Sequence, residues 1–106
     1  MNDAIVDVVV HDEPSQSRYE AWDAGTLAGF AVYQMVGESV IVFVHTEVDP
    51  AFEGRGIGSQ LATFALDDAR ARSLAVVPRC PFFAAFIGRH PEYADLHYHC
   101  GAVYRR

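Results

Sequence analysis

The sequence predicts an α+β fold: one mixed, mostly antiparallel sheet of about five strands, with two main helices. Three observations carry this. The first half is a series of short β-branched and aromatic runs separated by turn residues. After Asp49-Pro50 the apolar spacing changes from strand-like to helical. The chain has 106 residues, enough for one core but too few for separate cofactor and substrate domains. Residues 1–106 are therefore read as a single domain.

The elements follow in order. AIVDVVVH (4–11) is a short strand, and the turn-rich DEPSQS follows it. RYEAWDA sets Tyr19, Ala21 and Asp23 against Arg18, Glu20 and Trp22, as an edge or half-buried strand would. Gly25 breaks that run before the third strand, TLAGFAVYQMV. Gly37-Glu38 signals a tight turn into SVIVFVHTEV, which has almost no polar interruption before His45 and should be buried on both faces. From about Gly56 to Arg72, Ile57, Leu61, Phe64, Ala65 and Ala69 share one helical face, with Leu66 beside it. Ser73 ends that helix, LAVV is a short buried strand, and Pro81 opens an apolar helix, PFFAAFIGR. The closing HPEYADLHYHCGAVYRR is the least legible stretch.

Composition narrows the function. The net charge is −6, from 8 Lys+Arg against 14 Asp+Glu. That opposes a general nucleic-acid role, which needs surplus basic residues for phosphate contacts, and suits a cationic substrate such as an amine. Two cysteines, Cys80 and Cys100, form no multi-bridge pattern, so a reducing compartment is expected. The N-terminal stretch lacks the basic region of a signal peptide, and no apolar run reaches membrane-spanning length. The expectation is a cytoplasmic protein with no membrane partner. Monomer and homodimer both remain open, because an exposed edge such as strand 18–23 could pair with another copy or face water.

Residues 53–59 read EGRGIGS, between an apolar strand and an amphipathic helix. A helix start presents unpaired N–H groups and a positive dipole end, and glycines let an anion approach them. Gly54, Arg55, Gly56, Ile57, Gly58 and Ser59 are thus candidate phosphate-binding residues, with Arg55 adding charge and Ser59 a hydroxyl. A P-loop is excluded because the loop has no lysine. A dinucleotide fingerprint counted from Gly54 would need glycine at position 59, where Ser59 stands.

The loop resembles the acyl-CoA pyrophosphate loop of the GNAT superfamily of N-acetyltransferases, whose [QR]-x-x-G-x-[GA] pattern falls on Glu53 to Gly58. HTEV at 45–48, EGRGIGS at 53–59, VPRCPF at 77–82 and HPEY at 90–93 together are similar to a compact branch of short stand-alone domains. These are sometimes called YjdJ-type or GCN5-like, CoA-dependent acetyltransferases. Glu53 departs from the superfamily pattern and agrees with that of the branch. The resemblance spans about residues 18–96. It implies a GNAT-like domain, with acetyl-CoA as cosubstrate and an unidentified amine as acceptor. It also implies a splay between strands 40–48 and 74–78 that holds the pantetheine arm near Glu47 and Val48. The pyrophosphate would lie on N–H groups of residues 54–59. The N-terminal helices that help enclose the acceptor elsewhere in the superfamily are expected to be missing.

Acetyl transfer to an amine needs a proton acceptor, stabilisation of the carbonyl oxygen and a leaving thiolate. His45 and Glu47 are two apart on one strand, so they project to one face, and either could take the amine's proton. The bland alternative is that Glu47 pairs with an arginine and His45 is half buried. Cys80, before Pro81, is a candidate N-cap, where a thiolate is favoured. In the compact branch a cysteine lies here, close to the acyl group. It would serve as nucleophile or as an acid or positioning group, unless it is only a small buried hydrophobe. Tyr93 and Tyr98 are alternative proton donors, although packing explains each as well. Arg89 is a candidate contact for a CoA phosphate. His97, His99 and Cys100, with Cys80, lack the paired spacing of a zinc site, so no metal is expected. The alternative to an enzyme is a CoA-binding module with little or no catalysis, using the same loop.

Overall fold

The computed structural model describes residues 8–98. It contains strands β1 (Val8–Glu13), β2 (Arg18–Asp23), β3 (Thr26–Val36), β4 (Val40–Val48) and β5 (Ala75–Pro78), with helices α1 (Ile57–Ala71) and α2 (Pro81–Arg89). Three 3-10 turns, at Pro14–Gln16, Pro50–Phe52 and Pro91–Leu96, complete the path. The sheet order is β1-β2-β3-β4-β5. The first four strands are antiparallel, and β5 lies parallel to β4. A parallel neighbour needs a crossover, which α1 supplies.

Both helices cover one face of the sheet. Tyr19 of β2 meets Phe64 of α1 edge-on at 5.9 Å and Phe43 of β4 at 6.2 Å, while Phe43 stacks on Phe83 of α2 at 4.1 Å. The α1 stripe of Ile57, Leu61, Ala62, Ala65, Leu66 and Ala69 is fully buried. Burial of side chains the size of Leu61 or Leu66 contributes about 1.5–3 kcal/mol each, and truncating either to alanine should cost about 2–5 kcal/mol. Polar ties reinforce this layer. Tyr19 donates to Asp68 at 2.6 Å and Tyr33 to Asp12 at 2.7 Å. Arg72 joins the two carboxylates, at 3.1 Å and 3.7 Å.

Among the described residues, the opposite sheet face carries no helix. Register aligns two rows across it: His11, Glu20, Phe30 and Glu47, then Glu13, Arg18, Val32 and His45. Glu20 is 5% exposed beneath its neighbours. It accepts from Arg18 Nε at 2.7 Å and Trp22 Nε1 at 2.9 Å. Burial disfavours its charge, but these donors outweigh burial and hold its carboxyl below the usual range.

Three expectations need correction. Strand 18–23 is not an edge: it lies between β1 and β3, and β1 forms the edge. Phe64 is 39% exposed, on the rim of the helix stripe beside Tyr19, because small Ala62 instead faces the core. Finally, β4 is buried on both faces only at Ile41, Val42 and Phe43; from Val44 it alternates between partly buried and exposed residues. The expected first strand began at residue 4; its residues 4–7 lie outside the described part.

Candidate functional site

The change in β4 has two physical causes. Pairing with β5 runs from Val40↔Ala75 to Phe43↔Pro78 and stops there. On the β3 side, Tyr33 pairs with Phe43 but Val32 with His45, so Val44 is an extra residue. Such a bulge bends the strand and shifts its alternation. Beyond it, His45 and Glu47 point to the open face, while Thr46 and Val48 turn toward the helices. Among the described residues, no strand pairs with β4 on its β5 side from Val44 to Val48.

Chain direction explains the gap. The Cys80 N–H donates to Phe43 O at 2.8 Å, and Pro81 then starts α2, which turns the chain out of the sheet. Cys80 is the N-cap residue, as its place before Pro81 predicts, but its side chain makes no cap bond. It is 3% exposed, with Sγ 3.4 Å from Thr46 Oγ1. His45 Nε2 lies 3.3 Å from a Glu47 carboxylate oxygen, both side chains being solvent-accessible. The three candidate catalytic residues thus form two groups on opposite faces of β4: His45 with Glu47, and Cys80 with Thr46.

The glycine loop follows directly. Asp49 accepts the Ala51 N–H at 2.8 Å and fixes the 3-10 turn that leads from β4 into it. Gly54 and Gly56 have φ of +82° and +78°, values that favour glycine. Gly56 caps α1 without a side-chain bond, and no acidic residue sits in the first turn, so the first-turn N–H groups are open to an anion. The three glycines do different things, however. A Cβ at Gly58 would lie 2.9 Å from the Phe82 ring tip, so Gly58 lets α2 pack on the first turn of α1. Arg55 is paired to Asp23 at 3.3 Å and lies over Phe52 at 5.0 Å, rather than standing over the helix start. Ile57 is buried in the core, and Ser59 is exposed.

Other candidates fall elsewhere. Tyr93 is buried and donates to Asp67 of α1 at 2.7 Å; burial first, then that bond, pushes its phenol up to about 12. It is a packing residue. Tyr98 and Arg89 are exposed, and the Tyr98 N–H donates to Val76 O at 2.7 Å. His99 and Cys100 lie outside the described residues. His11, Glu13 and Glu20 place ligand-type atoms within 4.8 Å of one another, but Glu20 is already engaged by Arg18 and Trp22. Thr46 and Asp49 adjoin the candidate site, against Cys80 and at the entry to the glycine loop, and the sequence did not single them out. The two-residue period from Glu47 could have found Asp49, whereas the Val44 bulge hid the facing of Thr46.

An open strand edge thus runs into an uncapped, glycine-turned helix start. The profile described as GCN5-related N-acetyl-transferase matches residues 18–96. The chain belongs to that family. Among sequence relatives, Protein NATD1 of Bos taurus is 35% identical over 60 residues, 57% of this chain and 53% of that protein. Protein NATD1 of Danio rerio is 32% identical over 66 residues, 60% of each. The chain spans between about half and three fifths of the length of these relatives. The solution structure of a GCN5-like protein from Staphylococcus aureus superposes with a TM-score of 0.67 over 89% of this chain and 91% of its own. At 19% identity it shows a shared fold. The crystal structure of Ard1 from Thermoplasma volcanium gives a TM-score of 0.53 at 26% identity, over 61% of this chain and 44% of that one. No helix among the described residues is long and apolar enough to cross a membrane.

Proposed function

We propose that this chain is an acetyl-CoA-dependent N-acetyltransferase acting on an amine. The observation that carries the reading is the loss of β5 pairing after Phe43, just ahead of the uncapped start of α1. These are the two backbone surfaces that an extended pantetheine arm and its pyrophosphate require. The N–H groups of residues 54–59 hold the pyrophosphate, and the β4 edge near Val48 holds the arm.

Bound acetyl-CoA supplies an acyl group already activated as a thioester. Glu47, with His45 beside it at 3.3 Å, takes the amine's proton on the open face. Cys80 acts from the helix face, either accepting the acyl group or giving a proton to the leaving thiolate. The first route predicts ping-pong kinetics and the second a sequential pattern. Titration calorimetry with acetyl-CoA, followed by amine-dependent release of free thiol, tests the reading. Binding and release are both expected. Binding without release on any amine would instead assign the chain as a CoA-binding module, and absence of binding would overturn both.

A further inference from the structure

We propose that the groove at the joined ends of β3 and β4 receives the acceptor, and that this acceptor is a small aliphatic diamine. The inference rests on the acetyltransferase reading above. The groove encloses about 450 Å3, within the size range of small-molecule sites. Its apolar lining includes Leu27, Phe30, Val48 and Pro50, and its charged lining is Glu47 and Asp49, with no lysine or arginine. An aliphatic chain with cationic ends fits that combination, and the net charge of −6 favours its approach.

Spacing selects two cations rather than one. Glu47 and Asp49 are two residues apart in extended backbone, roughly 7 Å along the chain. Ammonium groups on a four-carbon spacer span a similar length. Glu47, paired with His45, faces the reacting nitrogen, and Asp49 holds the second ammonium. The Phe30 ring already carries a cation on one face: the Arg18 guanidinium lies 4.4 Å from its centroid, held by Glu20 at 2.7 Å. In the reaction the acceptor nitrogen loses a proton and attacks the thioester carbonyl carbon. The N–C bond forms as the C–S bond breaks, a second nitrogen proton leaves, and the thiolate is protonated. The distal ammonium remains charged throughout.

Asp49→Asn tests this without disturbing the fold, because an asparagine carbonyl can still accept the Ala51 N–H that Asp49 accepts at 2.8 Å. The expected result is a KM for 1,4-diaminobutane raised about tenfold, with kcat within about twofold. Acetyl-CoA affinity should be unchanged. For the unaltered protein, 1-aminobutane should be about tenfold poorer in kcat/KM and insensitive to Asp49→Asn. An unchanged KM in Asp49→Asn, or a preference for 1-aminobutane or a lysine-bearing peptide, overturns the proposal while leaving the acetyltransferase reading intact. An NMR titration with 1,4-diaminobutane alone separates the two. If acetyl-CoA is neither bound nor consumed, the underlying reading falls; if the amides of residues 27–30 and 47–51 do not move, the diamine groove falls.

Discussion

Cys80 Sγ lies 3.4 Å from Thr46 Oγ1, just beyond the Phe43–Pro78 pair where β4 and β5 part. The thiol is therefore fixed at the mouth of the gap by a hydroxyl from the facing strand, and not only packed among apolar groups. Cys80→Ala is expected to lower kcat at least about tenfold, with acetyl-CoA affinity within about twofold. The loss of stability should be about 1 kcal/mol, since little volume is removed. Full turnover by Cys80→Ala would reduce the residue to a packing role. Retained turnover in Cys80→Ser, combined with loss in Cys80→Ala, would favour a proton-donating role over a covalent one.

The loop glycines should separate by experiment into two kinds. A Cβ at Gly56 meets nothing within 4 Å, so Gly56→Ala suffers only from its φ of +78°. It should cost about 1 kcal/mol and weaken acetyl-CoA binding, because the helix start must rearrange. Gly58→Ala pushes on the Phe82 ring at 2.9 Å and should cost about 1–2 kcal/mol through α2. Pairing Gly58→Ala with Phe82→Leu should restore most of that stability. Chemical denaturation of the four proteins tests it, and an unrescued double variant would show that Gly58 serves the backbone instead.

Much of this arrangement was legible in the sequence, and the limits have physical causes. The helix expected from about Gly56 to Arg72 spans Ile57–Ala71, because its apolar stripe and its glycine start are local signals. Facing on β4 was harder. His45 and Glu47 do share a face, but the Val44 bulge is set by pairing with β3 and leaves no mark in local composition. Without the bulge, His45 would continue the Ile41–Phe43 alternation into the core. Glu20 was equally hidden: a strand pattern marks it as outward-facing, and only its cross-strand neighbours bury it. The tail was illegible because Pro91–Leu96 is a 3-10 turn held by long-range bonds to α1, from Tyr93 to Asp67 and from Arg70 to Asp95 and the Glu92 carbonyl, which no local pattern announces.

Alkaline pH should loosen the helix layer. Burial and then the bond to Asp67 push the Tyr93 phenol up to about 12, and burial with Asp68 or Asp12 raises Tyr19 and Tyr33 above the ordinary tyrosine value. The folded state thus holds these protons more tightly than the unfolded chain, whose tyrosines titrate near pH ~10. The stabilisation is complete below that pH and is lost as pH rises through the folded values. Tm should therefore fall progressively from about pH 10 to about pH 12. Tyr93→Phe should be less stable at neutral pH yet show a shallower decline over that window. An equal slope in the variant and the parent would contradict the assignment.

The turn between β2 and β3 offers a stabilising change at a position outside the candidate site residues. Ala24 and Gly25 connect Asp23 to Thr26 with φ of +49° and +86°, the two positive values of a type I′ turn. Such a turn matches the right-handed twist of its strands, so the hairpin keeps it although alanine is poorly suited to the first position. Asparagine tolerates that region much better, because its side chain can bond to nearby backbone. Ala24→Asn should therefore raise stability by about 0.5–1 kcal/mol, and the residue is exposed, so no packing is disturbed. For a domain of this size that corresponds to a Tm increase of roughly 2–6 °C. Calorimetry of the two proteins measures it directly, and acetyl-CoA affinity provides the control. A Tm that stays level or falls would mean that the hairpin relieves the strain at Ala24 elsewhere, through the Ala28 bulge that follows on β3.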